Sequence, residues 1–374
     1  MRKLTQMDIA VDCDAGRSAM DLFRLGIKSG ETRKCYGRKL RQVLCHIIGD
    51  DVLQGDLDER AEQLVSIARE NPGSAVNIML GLSGLLRERA GLPKTHPEYL
   101  NPSSMPNFFK PVKKLLKMNG VTINWGVVES TYAEVYNVAE SRGWSREEIR
   151  GMLRFATGAV DRAAVLIAAS SAIRAGAFGI RWKDIRHVYK NGDGLSFEKG
   201  EGSEVACAML TVYPGTRETY SAFITPEACR ALDALRIAWA YDVGREPRPD
   251  DPVFKRAGTL PTAMAPHSVR NRISRMAGKA GYRIRDGKKQ KRFVVPLMNG
   301  FRRFADKAYK KSLSKDSTIA RAIMTEYMMG RRGFTSLDRN YFKAHPLELA
   351  REYLNAVPGL AIDGTERPRQ GCPG

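Results

Sequence analysis

The sequence has no hydrophobic run long enough to cross a membrane. Its most apolar stretch, residues 163–173, supplies about half of the roughly 20 residues that a spanning helix needs. Residues 1–16 mix charged and apolar side chains, so we expect no secretory signal. These features favour a cytoplasmic protein that does not bind membranes.

Cysteine and histidine are also scarce. The six cysteines lie at 13, 35, 45, 207, 229 and 372 and form no CxxC pair, which argues against a disulfide scaffold or a zinc site. No HExxH and no GxxxxGK[ST] motif occurs, so zinc hydrolysis and phosphate-loop ATP binding have no support. We therefore expect neither a metal nor a cofactor.

Positive charge, in contrast, is abundant. Lys and Arg number 61 against 41 Asp and Glu, which gives a net charge of +20. A protein tolerates such self-repulsion when its partner is a polyanion, and nucleic acid is the first candidate. The chain should therefore be associated with the nucleoid.

The hydrophobic pattern predicts two domains in the 374 residues. Helical spacing begins near residue 29 and dominates both halves, with helices expected over 108–118, 129–141 and, after a capping box at 145–148, a long stretch reaching 172. Two β-like runs at 206–213 and 220–224 interrupt the second half. We expect a mainly α protein with a small β-sheet, divided into an N-terminal extension (1–25), a helical domain (26–130), a hinge (131–145), a second domain (146–362) and a flexible tail (363–374).

Three arginine clusters and one tyrosine stand out in the second domain. SSAIRAGA at 170–177 ends an apolar helix, MNGFRRF at 298–304 starts a helix, and YMMGRRG at 327–333 precedes SLDRNYF at 336–342. Arginine grips two oxygens of a phosphate at once. A tyrosine hydroxyl can act as a nucleophile when positive charge lowers its pKa.

In this order, the motifs resemble those of the tyrosine recombinase (phage integrase) family over about residues 146–362. VYPGTRETY at 212–220, FITPEA at 223–228 and EYLNAV at 352–357 are closer still to archaeal integrases of the virus and plasmid type. The resemblance implies a helical core-binding domain followed by a catalytic domain. It also implies catalytic roles, by position, for Arg174, Arg217, Asn299, Arg302, Arg331 and Tyr341.

Three of these positions depart from the family pattern. Arg217 falls where the family has a hairpin lysine as general acid, Asn299 where it has the histidine of HxxR, and Arg331 where it has His or Trp. Arginine, with a pKa above 12, is a poor proton donor. Lys190 and Lys199 lie nearby in sequence and are alternative acids, so the identity of the general acid stays open.

The resemblance implies a site-specific DNA recombinase that cleaves and rejoins DNA through a covalent 3′-phosphotyrosine. Such an enzyme would integrate or excise a mobile element as a tetramer on two DNA sites, with residues 346–362 exchanged between protomers. Two alternatives remain: a catalytically weakened or inactive DNA-binding protein of the same fold, and a resolvase of chromosome dimers.

Double-stranded DNA is thus the expected partner, and basic side chains predict where it binds. In residues 279–315, Lys and Arg together number thirteen, whereas Asp and Glu together number two. Expected DNA contacts are Lys110, Lys113, Lys114, Lys117, Arg270, Arg272, Lys288, Lys289, Lys291 and Arg292.

Overall fold

The computed structural model describes residues 17–134, 142–285, 293–312, 319–331 and 345–363. The chain forms two compact units, Met1–Val138 and Ala139–Gly374. The second unit carries 42 Lys and Arg against 25 Asp and Glu, whereas the first has 19 against 16. Almost the whole positive surplus therefore belongs to the second unit.

The first unit is helical, and its helices begin at side-chain caps. Ser18, Ser29 and Asn71 each accept a backbone N–H hydrogen bond, and Asp56 forms a capping box with Glu59. The described helices are α1 (Ala19–Leu25), α2 (Gly30–His46), α3 (Leu57–Glu70), α4 (Pro72–Gly91), α5 (Pro106–Met118) and α6 (Trp125–Ser130).

Two features of this unit differ from the expected boundaries. The expected extension over residues 1–25 overlaps α1, whose Met20 and Phe23 are buried in the core of the unit. The Ser18 cap gives this short helix a start that the weak periodicity did not reveal. A helix is expected over 129–141, but residues 131–134 are not helical, and residues 135–141 lie outside the described part.

The second unit combines helices with a small sheet. The expected long helix to residue 172 is two helices, because Gly158 adopts extended backbone and Asp161 accepts hydrogen bonds from the Thr157 N–H and hydroxyl. Its described helices are α7 (Arg146–Leu153), α8 (Ala159–Ser171), α9 (Pro226–Val243), α10 (Pro266–Lys279), α11 (Leu297–Ser312), α12 (Ile319–Met328) and α13 (Pro346–Leu360).

The sheet has four antiparallel strands in the order β2–β1–β3–β4. They are β1 (Ile185–Asn191), β2 (Gly194–Ser196), β3 (Glu204–Val212) and β4 (Tyr220–Ile224). Strands β3 and β4 match the two β-like runs, while β1 and β2 were not predicted. The register pairs Val212 with Tyr220 at the end of the β3–β4 ladder. The predicted fold class, mainly α with a small β-sheet, is confirmed.

Buried apolar residues of α8, α9, α10 and α11 join those of β3 and β4 in one core. Residues 163–171 of α8 are buried in this core, and they carry the chain toward Arg174. Among the described residues, no helix combines the length and the apolar character needed to span a bilayer.

The C-terminal segment is anchored on its own unit. Tyr353 of α13 is fully buried, and its hydroxyl donates to the Ser170 carbonyl over 3.2 Å. The N–H of Ile362 donates to the buried carboxylate of Glu227 over 2.9 Å, and Asp363 pairs with Arg162. The segment expected to exchange between protomers thus docks here within one chain, and the expected loose tail is held at its first residue.

Candidate active site and nucleic-acid interface

Arg174 reaches the surface directly after the buried helix α8. The hydroxyls of Ser170 and Ser171 donate back to helix carbonyls, and the next residue, Ala172, takes a left-handed conformation with φ 54°. Ala172 and Ile173 are buried, whereas Arg174 is exposed. The left-handed turn ends the helix and therefore delivers a cationic side chain from the core to the surface.

A turn at Met329 and Gly330 holds two arginines side by side. The Arg174 guanidinium donates to the Gly330 carbonyl over 3.1 Å, and that of Arg302 donates to the Met329 carbonyl over 3.0 Å. Arg302 also donates to the carbonyl of Ala172. Because the two acceptors are adjacent in sequence, the first and second predicted arginines lie next to each other.

Gly330 is required at this turn for two reasons. Its φ is +62°, which L-residues with side chains rarely adopt, and a Cβ would lie 2.5 Å from the Tyr220 ring. The tyrosine ring thus packs directly against the backbone that binds both arginines. A residue larger than glycine would displace the two carbonyls.

The electrostatics of the pair favour an anion. Burial lowers the pKa of Arg302, and the neighbouring cations Arg174 and Arg331 lower it further. Like charges held this closely repel each other until a negative group sits between them. A phosphate, with several oxygens and negative charge, matches two adjacent guanidiniums.

Arg331 is near this pair but is engaged by carboxylates. Its guanidinium binds Asp306 over 2.9 Å and Glu326 over 2.6 Å. Burial alone would lower its pKa, but the two carboxylates outweigh burial and raise it. The three arginines expected around a phosphate are thus brought together, although one of them is neutralised by acidic neighbours.

The remaining predicted catalytic residues differ in what the structure shows of them. Arg217 is exposed in the turn between β3 and β4, three residues before Tyr220. Asn299 is exposed in the first turn of α11, three residues before Arg302. Tyr341 lies outside the described residues, as do Lys288, Lys289, Lys291 and Arg292.

Sequence reasoning missed one residue of this site, Tyr220. It is 5% exposed, and burial raises its pKa to about 12 although Arg302 and Arg174 both act to lower it. Its ring meets that of Tyr213 edge-on, with centroids 6.4 Å apart. In the sequence, Tyr220 follows directly after the turn that carries Arg217, and this position was the available signal. Its contact with Gly330 is created by the fold.

A second basic cluster lies at the end of α10. Arg283 sits over the Phe293 ring at 3.4 Å from its centroid, and Arg285 lies 5.2 Å from the same ring. Burial, then Arg270 and Arg285, lower the pKa of Arg283. In the part of the chain that the structure describes, none of these three arginines forms an ion pair. The predicted DNA contact Arg270 thus belongs to a cluster suited to phosphate groups.

Arg272 has a different role from its neighbour. Its Nε lies 2.6 Å from the buried carboxylate of Asp161, which also accepts two hydrogen bonds from Thr157. Burial alone would raise the pKa of Asp161, but the bonds from Arg272 and Thr157 outweigh it and lower the pKa. This ion pair gives Arg272 a role in stabilising the fold, and we expect it to contribute less to DNA binding than Arg270.

The predicted lysines of α5 are not equivalent. Lys113 pairs with Glu129 and lies over the Trp125 ring, so its charge is already engaged. Lys110 and Lys117 are exposed, and Lys114 is half-buried. A row on α2 was missed by the sequence reasoning: the exposed side chains of Lys34, Arg38 and Arg41 recur at helical spacing.

Metal-ligating groups do not cluster in the described ranges. Among those residues, no group of three or more His, Cys, Asp or Glu is placed to hold a metal ion. The chemistry described below uses arginine side chains for charge stabilisation.

No family model matches the chain, and no curated protein matches it either. Several solved structures, in contrast, are similar to the chain. XerA recombinase is 12% identical with a TM-score of 0.34, covering 89% of this chain and 95% of its own. Lambda integrase (residues 75–356) bound to DNA is 16% identical with a TM-score of 0.42, covering 88% and 100%. XerH site-specific recombinase bound to difH substrate is 13% identical with a TM-score of 0.40, covering 90% and 93%.

The different environments of Arg270 and Arg272 give a matched pair of substitutions. Arg272→Ala leaves Asp161 buried without its cation and should reduce the free energy of unfolding by about 3 kcal/mol at pH 7. Arg270→Ala should leave stability unchanged within about 0.5 kcal/mol, because this side chain is exposed. Urea unfolding of both variants checks the difference.

The pH dependence of the Arg272→Ala loss has a definite sign. The lowered pKa of Asp161 gives the wild type stability that is present above the unfolded pKa and is lost as pH falls through the folded pKa. In the variant, burial raises that pKa, so acid neutralises the carboxyl first. The stability difference should therefore shrink from pH 7 toward pH 4. A difference that stays constant would contradict this interpretation.

Proposed function

We propose that this chain is a site-specific DNA recombinase that cuts and rejoins DNA through a covalent bond between Tyr341 and a 3′-phosphate. The observation that carries the proposal is the pair Arg174 and Arg302, held on adjacent carbonyls at Met329 and Gly330. Tyr341 follows this turn by eleven residues in the sequence. The surplus of positive charge in the same unit supports a DNA substrate.

In the proposed reaction, the two guanidiniums bind the non-bridging oxygens of the scissile phosphate. The oxygen of Tyr341 attacks phosphorus, its proton passes to solvent water, and the bond from phosphorus to the 5′-oxygen breaks. The 5′-oxygen leaves with a proton, and the strand remains attached to the enzyme as a 3′-phosphotyrosine. A 5′-hydroxyl of another strand then reverses these steps. Because the phosphotyrosine conserves the energy of the ester bond, no nucleotide is consumed.

The arginines supply the main catalytic effect in this scheme. Negative charge collects on the non-bridging oxygens as phosphorus is attacked, and fixed donors stabilise it without reorganisation. Burial of Arg302 strengthens its interaction, because screening by water is reduced there. Asn299 is placed one helical turn before Arg302, where its amide can donate a hydrogen bond but cannot exchange a proton.

The proton for the 5′-oxygen must come from a group other than arginine. A guanidinium is a poor proton donor, so in this scheme Arg217 contributes charge alone. Lys190 on β1 and Lys199 in the turn between β2 and β3 are exposed and chemically suited to the transfer. We propose one of these two lysines as the general acid.

We further propose that four protomers act on two DNA sites, because recombination requires four strand cleavages. The reaction would integrate or excise a mobile element, as in the archaeal-type integrases that the motifs resemble.

One observation favours a second candidate, a DNA-binding protein of this fold without catalysis. The carboxylates of Asp306 and Glu326 neutralise Arg331, so two rather than three arginines remain for a phosphate. Such a protein would bind DNA as the recombinase does but form no covalent bond with it. Covalent trapping therefore separates the two candidates.

Incubation with nicked DNA in EDTA, without nucleotide, should trap a covalent protein–DNA adduct on a denaturing gel. Tyr341→Phe should bind DNA with near wild-type affinity and form no adduct, because the nucleophilic oxygen is missing. Tyr327→Phe is the control and should form the adduct normally. Adduct formation by Tyr341→Phe would assign the nucleophile elsewhere, and absence of any wild-type adduct would favour the non-catalytic candidate.

DNA affinity should depend steeply on salt. A protein of this charge should neutralise roughly six to ten phosphates, so affinity should fall by about three to five decades between 50 and 200 mM salt. Arg270→Ala should reduce the slope of log affinity against log salt by about one, and Arg272→Ala should leave it unchanged. A nearly flat response of the wild type would show that the positive charge serves another partner.

A further inference from the structure

The hydroxyl of Tyr220 is buried without a hydrogen-bond partner among the described residues. The Arg302 guanidinium lies beside this phenol and acts to lower its pKa through its charge and through hydrogen bonding, yet the two groups are not aligned well enough to give the hydroxyl a regular partner. Most buried polar groups in proteins are hydrogen-bonded, so an exception beside two cations calls for a functional explanation.

The surroundings of this hydroxyl restrict which kind of ligand can form a hydrogen bond with it. Arg174 and Arg302 present only donors, and each already binds a carbonyl of the Met329–Gly330 turn. Burial keeps the phenol protonated at neutral pH, so Tyr220 offers an O–H donor as well. A ligand that satisfies all three groups must be an acceptor with several oxygens and negative charge.

The hydroxyl has a fixed position because the ring is fixed. Gly330 lies against one side of the ring, and the Tyr213 ring meets it edge-on. Arg174 is exposed and holds the Gly330 carbonyl through a single 3.1 Å hydrogen bond, so its side chain can turn to admit an anion. A phenylalanine ring could make the same packing contacts with Gly330 and Tyr213, so these contacts do not explain the hydroxyl.

We propose that the hydroxyl of Tyr220 donates a hydrogen bond to a non-bridging oxygen of the phosphate bound by Arg174 and Arg302. That this phosphate is the scissile phosphodiester of DNA rests on the proposed function. The binding of a phosphate anion by these three side chains is independent of the proposed function. Tyr220 would then contact the substrate and contribute to catalysis.

The first test measures binding of inorganic phosphate to the full chain by calorimetry. Tyr220→Phe should bind phosphate about tenfold more weakly than the wild type, the effect of losing one hydrogen bond to a charged group. It should melt at the same or a higher temperature, because the variant has no unpaired buried hydroxyl. Phosphate affinity equal to that of the wild type would overturn the proposal.

Tyr309→Phe is the matched control. Tyr309 is fully buried, and its hydroxyl donates to the Ser170 carbonyl over 3.4 Å. Its loss should lower the melting temperature and leave phosphate affinity unchanged. If both variants weakened phosphate binding equally, the effect would be structural and the proposal would fail.

The second test measures the single-turnover rate of adduct formation. At saturating DNA, Tyr220→Phe should slow it about 10²-fold, as expected for the loss of one preorganised donor. Substrates with a methylphosphonate at the scissile position replace one non-bridging oxygen at a time. For the isomer that lacks the contacted oxygen, wild type and variant should react at similar rates.

The outcomes separate this inference from the proposed function. Equal adduct formation by wild type and Tyr220→Phe would refute the inference and leave the recombinase proposal intact. If the wild type formed no adduct, the recombinase proposal would fail, and the phosphate measurement would still decide whether Tyr220 belongs to an anion site.

Discussion

The candidate site depends on the hydrogen bonds that two adjacent carbonyls accept from two arginines. The Met329 carbonyl binds Arg302, and the Gly330 carbonyl binds Arg174. The Tyr220 ring packs against Gly330 in the same turn. Four chain segments that are separate in sequence meet here. Main-chain carbonyls carry only partial negative charge, so they orient the guanidiniums without neutralising them, and both cations remain available to a phosphate.

The contrast with the other basic side chains shows how the fold distributes charge. Arg331 and Arg272 are neutralised by carboxylates, whereas Arg270, Arg283 and Arg285 have no ion pair in the described ranges. An arginine paired with a buried acid stabilises the fold, and one surrounded by other cations is suited to an anion. Net charge alone therefore overstates the positive surface that can bind an anion.

Much of the architecture could be predicted from the sequence. Helical periodicity and strong caps predicted most helices, and two β-like runs predicted strands β3 and β4. Strand β2 was not predicted because it has three residues, and β1 was not predicted because its side chains lack clear alternation. The order of the motifs indicated Arg174 and Arg302. Sequence could not show that Asp161 pairs with Arg272, 111 residues away, or that Tyr220 meets Gly330, because tertiary contacts alone create those environments.

The most direct test of this account is a double-mutant cycle on Arg174 and Arg302. Each substitution by alanine should slow covalent adduct formation by about 10²–10³, because each removes a donor to the same phosphate. If the two arginines act as one unit, the double variant should be little slower than the slower single variant. If the two rate losses simply multiplied in the double variant, or if the single variants reacted at the wild-type rate, the claim that both arginines act on one phosphate would be contradicted.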